Sequence, residues 1–260
     1  MKVYGIQFNS AWENKDENFK TINLMLNSMV IKKDSLLILP EMFATGFSYN
    51  IEITTNNEPS KTESFLSQLA RDKHSWVLAG MVYPTEKKNK GINSSVIFNP
   101  DGEKIGSCSK LKTISMLGEN RVHINGDKIE IYAIQSFLLT PFICYDLRFP
   151  EFFRSSFSRG TNLFVVIACW PKIRMKHWIN LIQARAIENQ SYVIGVNRVG
   201  SDHEFDYCGH SLIVDPIGNI LVEGGSNNEI IEADLDKKII DAWRHEFPFY
   251  KEIKDGVHYP

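Results

Sequence analysis

The sequence lacks paired cysteines. Its 260 residues include only four, and none belongs to a CxxC pair: Cys108, Cys144, Cys169 and Cys208. Their wide spacing argues against a zinc site and against a disulfide framework. Reduced thiols are typical of the cytosol, and the N-terminus reads as a strand rather than as a signal peptide. We therefore expect a cytoplasmic protein.

The sequence also lacks a long apolar run, an excess of one charge and an early glycine-rich loop. No apolar segment approaches the ~20 residues that span a bilayer, so no membrane partner is expected. The formal net charge is -2 and the basic residues are scattered, which leaves no basic face for nucleic acid. The missing phosphate loop argues against a flavodoxin-like or dinucleotide-binding protein.

Hydrophobic periodicity predicts strands that alternate with helices, with two hairpins among them. The predicted strands are residues 3–8, 35–39, 76–82, 93–99, 104–107, 128–134, 137–143, 162–168, 192–197, 211–215, 220–223 and 229–234, and the predicted helices are residues 14–30, 64–73, 151–160 and 176–188. Residues 43–59 and 108–127 have no sustained period and are predicted loops, and residues from ~240 to 260 form a C-terminal tail.

This order of elements, without a break in composition, predicts one α/β domain over residues 1–260. Alternating strands and helices with interspersed hairpins are typical of two mixed sheets that pack face to face. Helices then cover the two outer faces. The predicted fold is therefore a four-layer αββα sandwich.

Three apolar strands end at polar or reactive side chains, namely Glu41, Cys144 and Trp170. Because ligands of open α/β sheets bind beyond the carboxyl ends of strands, we expect these residues at one rim. A cysteine at a strand-to-helix turn is placed as a nucleophile, since the first helical N–H groups lower its pKa. Taken alone, Cys144 could equally be a small buried hydrophobe, and Glu41 could face solvent.

Three motifs in order resemble those of the nitrilase superfamily of carbon–nitrogen hydrolases. Residues 39–47 (LPEMFATGF) resemble its glutamate motif, and residues 144–151 (CYDLRFPE) resemble its cysteine motif. Between them, residues 109–111 (SKL) and 118–119 (GE) resemble its lysine motif and second glutamate. The similarity runs along nearly the whole chain and implies the fold described above.

The resemblance implies a role for each matching side chain. Glu41 would be the general base, Cys144 the nucleophile, and Lys110 an oxyanion donor together with the backbone N–H of Tyr145. Glu119 would position Lys110 or the substrate and assist in proton handling. Neither a metal nor an organic cofactor is required.

The lysine motif departs from the family pattern, which often has aspartate before the lysine and histidine two positions after it. Here these positions hold Ser109 and Lys112, so two lysines compete for the role. The distance from Lys110 to Glu119 fits the family better, and we therefore choose Lys110.

The downstream sequence looks like the omega-amidase branch of the superfamily. The matching segments are residues 168–178, 183–190 and 196–200. Members of this branch hydrolyse the side-chain amide of 2-oxo acids such as 2-oxoglutaramate and 2-oxosuccinamate, here through a thioester. The resemblance also implies a homodimer, formed through the helices that follow Cys144 and Trp170, with the C-terminal tail as a further candidate for the interface.

A 2-oxo acid carries a carboxylate, which needs a cation in the pocket. Arg174 is the first candidate and Arg148 the second, although an ion pair that holds the turn is the preferred role for Arg148. The candidate walls of the pocket are Phe43, Phe47, Met116, Tyr145 and Trp170. No metal-ligand spacing links His123, His177, His203 and His210, and Cys169 and Cys208 are expected to be buried.

Two alternatives remain open. Another amide hydrolase of the superfamily would act on a deaminated peptide, a carbamoyl amine or a nitrile. An inactive scaffold of the same fold would act by protein interaction, although the intact set of Glu41, Lys110 and Cys144 argues against it.

Overall fold

The computed structural model describes residues 1–55 and 60–252. The strands are β1 Lys2–Gln7, β2 Leu36–Ile38, β3 Trp76–Pro84, β4 Gly91–Phe98, β5 Lys104–Ser109, β6 Tyr132–Ile134, β7 Phe137–Ile143, β8 Leu163–Ala168, β9 Tyr192–Asn197, β10 Val199–Ser201, β11 Asp206–Cys208, β12 Leu212–Val214, β13 Ile220–Glu223 and β14 Glu229–Asp234. The helices are α1 Lys15–Asn27, α2 Ile51–Thr55, α3 Ser60–Lys73, α4 Pro150–Ser158, α5 Met175–Asn189 and α6 Lys237–Glu246. None of these helices is long and apolar enough to cross a membrane.

Two six-stranded mixed sheets form the centre of the fold. The first has the order β14-β1-β2-β3-β4-β5, and the second has the order β13-β12-β9-β8-β7-β6. In the first sheet β1, β2 and β3 are parallel. In the second sheet β7, β8 and β9 are parallel. The predicted mixed α/β architecture is confirmed.

The apolar strands explain the layering. One core cluster joins side chains of both sheets, such as Leu78 and Val165, and continues to Trp178 and Ile182 of α5. A second cluster lies between the first sheet and α1 and α3. Every residue of β8 and of β9 is buried, as expected for strands that are covered on both faces. The layers are therefore helix, sheet, sheet and helix.

Four elements differ from the sequence-based predictions. The predicted loop 43–59 contains the short helix α2, and its residues 56–59 lie outside the described part of the chain. The predicted strand 128–134 is shortened to β6. The small hairpin of β10 and β11 was not predicted, since neither strand exceeds three residues. Helix α6 begins at Lys237 and extends into the predicted C-terminal tail. The Asp236 side chain caps its N-terminus.

The carboxyl ends of strands from both sheets meet at one edge. Glu41 follows β2, Lys110 follows β5, Cys144 follows β7 and Cys169 follows β8. A direct contact closes the space between the sheets, because the backbone N–H of Cys169 donates to Glu41 Oε2 at 2.8 Å. The expectation that these strand ends share one rim is therefore confirmed.

A glycine lets the turn after β2 approach its neighbouring strand. A Cβ on Gly80 of β3 would lie 2.6 Å from the Cα of Glu41 and 2.7 Å from the backbone nitrogen of Met42. These are backbone atoms, so they cannot move aside as the end of a flexible side chain can. Only glycine fits here without displacing the turn.

We predict that Gly80→Ala lowers the free energy of unfolding by about 2 kcal/mol, because the new methyl group overpacks the turn. Urea denaturation of the purified variant measures this. Gly225→Ala is the matched control, since its Cβ would meet only one atom, at 3.6 Å. The control should stay within about 0.5 kcal/mol of the unsubstituted protein. An equal loss in both variants would contradict the close-approach explanation.

Candidate active site

A buried ion cluster occupies the edge where the two sheets meet. Lys110 Nζ lies 2.9 Å from Glu41 Oε1 and 2.8 Å from Glu119 Oε1. All three side chains are fully shielded from solvent. The structure thus brings together three of the four side chains that the sequence motifs singled out.

Glu41 is held by two further donors that sequence reasoning missed. Asn93 Nδ2, from β4, donates to Glu41 Oε1 at 2.7 Å, and the Cys169 N–H donates to Oε2. The Cys169 thiol also donates to the backbone carbonyl of Glu41, at 3.3 Å. The available signal for Asn93 was a polar run, residues 93–95, in a strand that ends with the apolar residues 96–98. No comparable signal existed for Cys169, because a backbone contact leaves no trace in sequence.

Cys144 directly follows β7 and is the first residue of a 3₁₀ turn over Cys144–Arg148. Its φ is +48°, a left-handed conformation that non-glycine residues rarely adopt. The side chain is buried. Burial, and then the charge of Glu41, raise the pKa of the thiol well above its usual value, and Lys110 opposes this only in part. The expectation that the turn lowers the pKa of Cys144 is therefore wrong, and the resting cysteine is a neutral thiol that needs a base.

The charges of the cluster fix the protonation of Lys110 and Glu119. Burial lowers the pKa of Lys110, but the charges of Glu41 and Glu119 outweigh it and raise the pKa well above its usual value. Burial raises the pKa of Glu119, but Lys110 and hydrogen bonds from His123 and the Ile114 N–H bring it down to about 2. Near neutral pH Lys110 is thus an ammonium and Glu119 a carboxylate.

A third buried carboxylate, Asp146, joins the segment that follows Lys110 to the turn that holds Cys144. Asp146 Oδ1 accepts the N–H of Lys112 at 2.8 Å, and Oδ2 accepts those of Leu111 at 3.3 Å and Ile143 at 3.1 Å. Burial raises the pKa of this carboxyl to about 7, against the effects of Lys110 and the three N–H groups. Both oxygens accept N–H groups, an arrangement that favours the carboxylate form.

A cavity of about 310 Å³ opens beside Cys144. Its lining residues are Ile114, Met116, Leu117, Cys144, Tyr145, Arg148, Trp170, Pro171 and Arg174. Burial and the charge of Arg174 lower the pKa of Arg148, which indicates that the two guanidinium groups are near each other. Neither arginine forms an ion pair with a carboxylate of residues 1–55 or 60–252.

The structure sorts the candidate pocket residues into two groups. Met116, Tyr145, Arg148, Trp170 and Arg174 line the cavity. Phe47 lies outside this lining, but its ring centroid is 5.2 Å from Lys110 Nζ.

Phe43, by contrast, lies in the core. It is fully buried and packs between Phe19 of α1 and Phe65 of α3, at centroid distances of 6.0 and 6.1 Å. The expectation that Phe43 lines the pocket is corrected, since its side chain faces the outer helices.

The two competing lysines occupy different environments. Lys112 is exposed and lies 5.9 Å from the Phe149 ring centroid, whereas Lys110 is fully buried between two carboxylates. Within residues 1–55 and 60–252, Arg148 does not form the expected ion pair. Its guanidinium carbon lies 4.8 Å from the Trp170 ring centroid, and its Nη2 lies 3.3 Å from His177 Nδ1.

Residues of the downstream motifs form hydrogen bonds with Trp170 and with the turn that holds Cys144. Asn197 accepts the Trp170 N–H at 2.7 Å and donates to the Trp170 carbonyl at 3.1 Å. Arg185 of α5 donates to the carbonyl of Leu147, in the cysteine turn, at 2.8 Å. Cys169 and Cys208 are buried, as predicted. Within the described ranges no three His, Cys, Asp or Glu side chains are grouped to hold a metal ion.

Comparison with known proteins agrees with this geometry. The family model described as carbon-nitrogen hydrolase matches residues 3–245. The chain therefore belongs to the carbon–nitrogen hydrolase family, which confirms the resemblance to the nitrilase superfamily.

Particular relatives are named for one activity. A 2-oxoglutaramate amidase of Paenarthrobacter nicotinovorans is 36% identical over 87% of this chain and 81% of its own length. A 2-oxoglutaramate amidase of Bacillus subtilis is 29% identical over 97% of both chains. Among solved structures, XC1258 of Xanthomonas campestris, described as a CN-hydrolase superfamily protein with an arsenic adduct in the active site, superposes with a TM-score of 0.92. It is 25% identical and covers 100% of this chain and 99% of its own.

We predict that Glu119→Gln lowers the free energy of unfolding by about 3 kcal/mol at pH 7, because it removes one charge partner of a buried ammonium. The pKa of Glu119 is about 2 in the folded protein against an ordinary 4.5. The stabilisation is therefore complete above pH 4.5 and is lost as the pH falls toward 2.

Urea unfolding between pH 7 and pH 3 should show the two proteins converging at the acid end. Asp241→Asn, which removes an exposed partner of Lys237, is the control and should change stability little at any pH. A difference between the protein and Glu119→Gln that does not depend on pH would contradict the assignment.

Proposed function

We propose that this carbon–nitrogen hydrolase is a cysteine-dependent omega-amidase that hydrolyses the terminal amide of short 2-oxo acids, such as 2-oxoglutaramate and 2-oxosuccinamate. One observation carries the proposal. The buried cluster of Glu41, Lys110 and Glu119 adjoins Cys144. The cavity at that cysteine is lined by two arginines that have no carboxylate partner among the described residues. The relatives named 2-oxoglutaramate amidase support the same substrate class.

Glu41 acts as the general base in this proposal. Since the buried thiol is neutral at rest, its proton passes to Glu41 as the sulfur attacks the amide carbon. The three donors from Asn93, Lys110 and Cys169 hold the carboxylate in place for that transfer. Protonated Glu41 then gives its proton to the departing ammonia. It next takes a proton from the water that attacks the thioester. The C–S bond then breaks, Glu41 returns the proton to the departing Cys144 sulfur, and the dicarboxylate is released.

Lys110 stabilises the tetrahedral oxyanion together with the N–H of Tyr145, which directly follows the nucleophile. An ammonium has three N–H donors, and Lys110 Nζ lies within hydrogen-bond distance of three carboxylate oxygens: Glu41 Oε1 and both oxygens of Glu119. In this proposal, one of the two bonds to Glu119 is exchanged for a bond to the substrate oxygen. Each such donor is typically worth about 3 kcal/mol of the barrier. Glu119 stays ionised near neutral pH, so it acts by orienting Lys110 and by charge rather than by carrying a proton.

The pocket explains the preference for an acid substrate. Arg174 and Arg148 both line the cavity and lack a carboxylate partner among the described residues, so a bound carboxylate would relieve their mutual repulsion. We assign the carboxylate to Arg174 and the 2-oxo group to the region of Arg148. Met116, Tyr145 and Trp170 supply apolar walls, and the volume of about 310 Å³ suits a short chain.

A homodimer and a cytoplasmic location belong to the same proposal. The C-terminal half of the chain has exposed apolar side chains, such as Ile187, Leu221 and Phe247, which support the association of two copies. Four cysteines without a disulfide fit a reducing compartment. Light scattering coupled to size-exclusion chromatography tests the dimer, because a monomer at micromolar concentration would contradict it.

The substrate class is tested by ammonia release from five compounds in parallel: 2-oxoglutaramate, 2-oxosuccinamate, glutamine, a simple aliphatic amide without a carboxylate, and a nitrile. Both oxo-amides should give a kcat/KM at least about 100-fold above the other three, since only they present a carboxylate and a 2-oxo group to the arginines. Cys144→Ala should abolish turnover and retain the fold. Faster turnover of glutamine or the nitrile would overturn the substrate assignment, and activity in Cys144→Ala would overturn the nucleophile.

The two lysines give a second test. Lys110→Ala should lower kcat by about 100-fold or more, because it removes an oxyanion donor. Lys112→Ala is the matched control and should have a mild effect, since that side chain is exposed. Steady-state kinetics on 2-oxoglutaramate decide the matter, and the reverse ranking would exclude Lys110.

A further inference from the structure

The lysine and the cysteine of the site are carried by different sheets. Lys110 follows β5 at the edge of the first sheet, and Cys144 follows β7 in the second. Neither strand pairs with the other, so sheet hydrogen bonds do not set the position of one residue relative to the other. A separate contact has to do so.

Asp146 supplies such a contact with a single side chain. Its carboxylate accepts the N–H groups of Leu111 and Lys112, which directly follow Lys110, and the N–H of Ile143, which directly precedes Cys144. The three distances are 3.3, 2.8 and 3.1 Å. Asp146 is 1% exposed, so no water competes for these bonds.

The location of these bonds matters more than their number. The φ of Cys144 is +48°, a strained conformation that persists only where its surroundings determine it. The bond from Ile143 holds the backbone just before that residue, and the other two hold the backbone just after Lys110. Asp146 itself is not part of the cavity lining, so it does not contact a substrate there.

We propose that Asp146 is a positioning residue that sets the distance between the Lys110 ammonium and the Cys144 thiol by bonding both backbone segments at once. This inference rests on the proposed roles of those two residues. A misplacement of catalytic groups by about 1 Å can cost 100-fold in rate, which three bonds at these positions are placed to prevent.

The fold contains a matched carboxylate without this geometry. Asp215 Oδ1 accepts three backbone N–H groups, from Ile217, Gly218 and Asn219, at 2.8, 2.9 and 2.9 Å. Asp215 is also buried, and it follows β12, which runs antiparallel to β9. It therefore lies at the end of the sheet opposite to the site. Loss of Asp215 should cost stability without changing the site.

The test compares Asp146→Asn with Asp215→Asn. An amide keeps one acceptor oxygen, but its NH₂ group faces N–H donors, so Asp146→Asn breaks the link on one side. We expect kcat for 2-oxoglutaramate to fall about 100-fold per folded molecule, with KM within threefold of that of the unsubstituted protein. Asp215→Asn should keep kcat within twofold while its midpoint of urea unfolding falls. Circular dichroism gives the folded fraction.

A second measurement does not depend on the substrate. The rate at which iodoacetamide alkylates Cys144, followed by mass spectrometry of its peptide, should fall at least tenfold in Asp146→Asn and stay unchanged in Asp215→Asn. An unsubstituted protein without activity on any of the five compounds would count against the proposed function alone. Unchanged kcat and alkylation in Asp146→Asn, or equal losses in both variants, would overturn the positioning role.

If Asp146→Asn does not fold, Lys112→Pro tests the same contact from the donor side. Proline removes the N–H that donates to Asp146 Oδ1, whereas Lys112→Ala keeps it. We expect Lys112→Pro to lose kcat and alkylation rate at least tenfold relative to Lys112→Ala. Equal values in these two variants would overturn the inference.

Discussion

A buried ammonium between two carboxylates is the interaction on which the site depends. Lys110, Glu41 and Glu119 are all fully shielded from solvent, and each charge would be costly to bury alone. Paired, they leave the cluster with one excess negative charge next to Cys144. Burial first, and then the charge of Glu41, raise the pKa of the Cys144 thiol, so in the proposed mechanism Glu41 removes its proton as the sulfur attacks. The proposed order of proton transfer and attack thus follows from the burial and the charge of the cluster.

The two sheets provide the positions for this cluster. Glu41 and Lys110 come from the first sheet and Cys144 from the second, and contacts between the sheets keep them together. The Cys169 N–H bonds Glu41 across that boundary, and Asp146 joins the segments after Lys110 and before Cys144. Gly80 lets the glutamate turn approach β3 closely. The catalytic geometry is therefore a property of the interface between the sheets, not of either sheet alone.

Sequence reasoning succeeded where a local pattern has a local cause. The long apolar strands and the helices α1, α4 and α5 were found because their periodicity reflects the faces that they bury. It failed for short elements such as β10 and β11, because three residues are too few to show an alternation of apolar and polar side chains. It also placed Phe43 at the pocket, although the side chain packs against Phe19 and Phe65. A residue next to a strand end can face either way, and only the packing of the helices decides which.

By itself the sequence determined the class of protein, and it singled out the proposed nucleophile and the other three side chains of the motifs, because these depend on residue type and order. The sequence favoured Lys110 over Lys112 by its distance to Glu119, but only the tertiary structure shows that Lys110 is buried and Lys112 exposed. The same holds for Asn93, the Cys169 N–H and Asp146. Their contacts join residues that are 52, 128 and 34 or 35 positions apart. Such distant pairs meet only when the two sheets pack, and no pattern along the chain records that meeting.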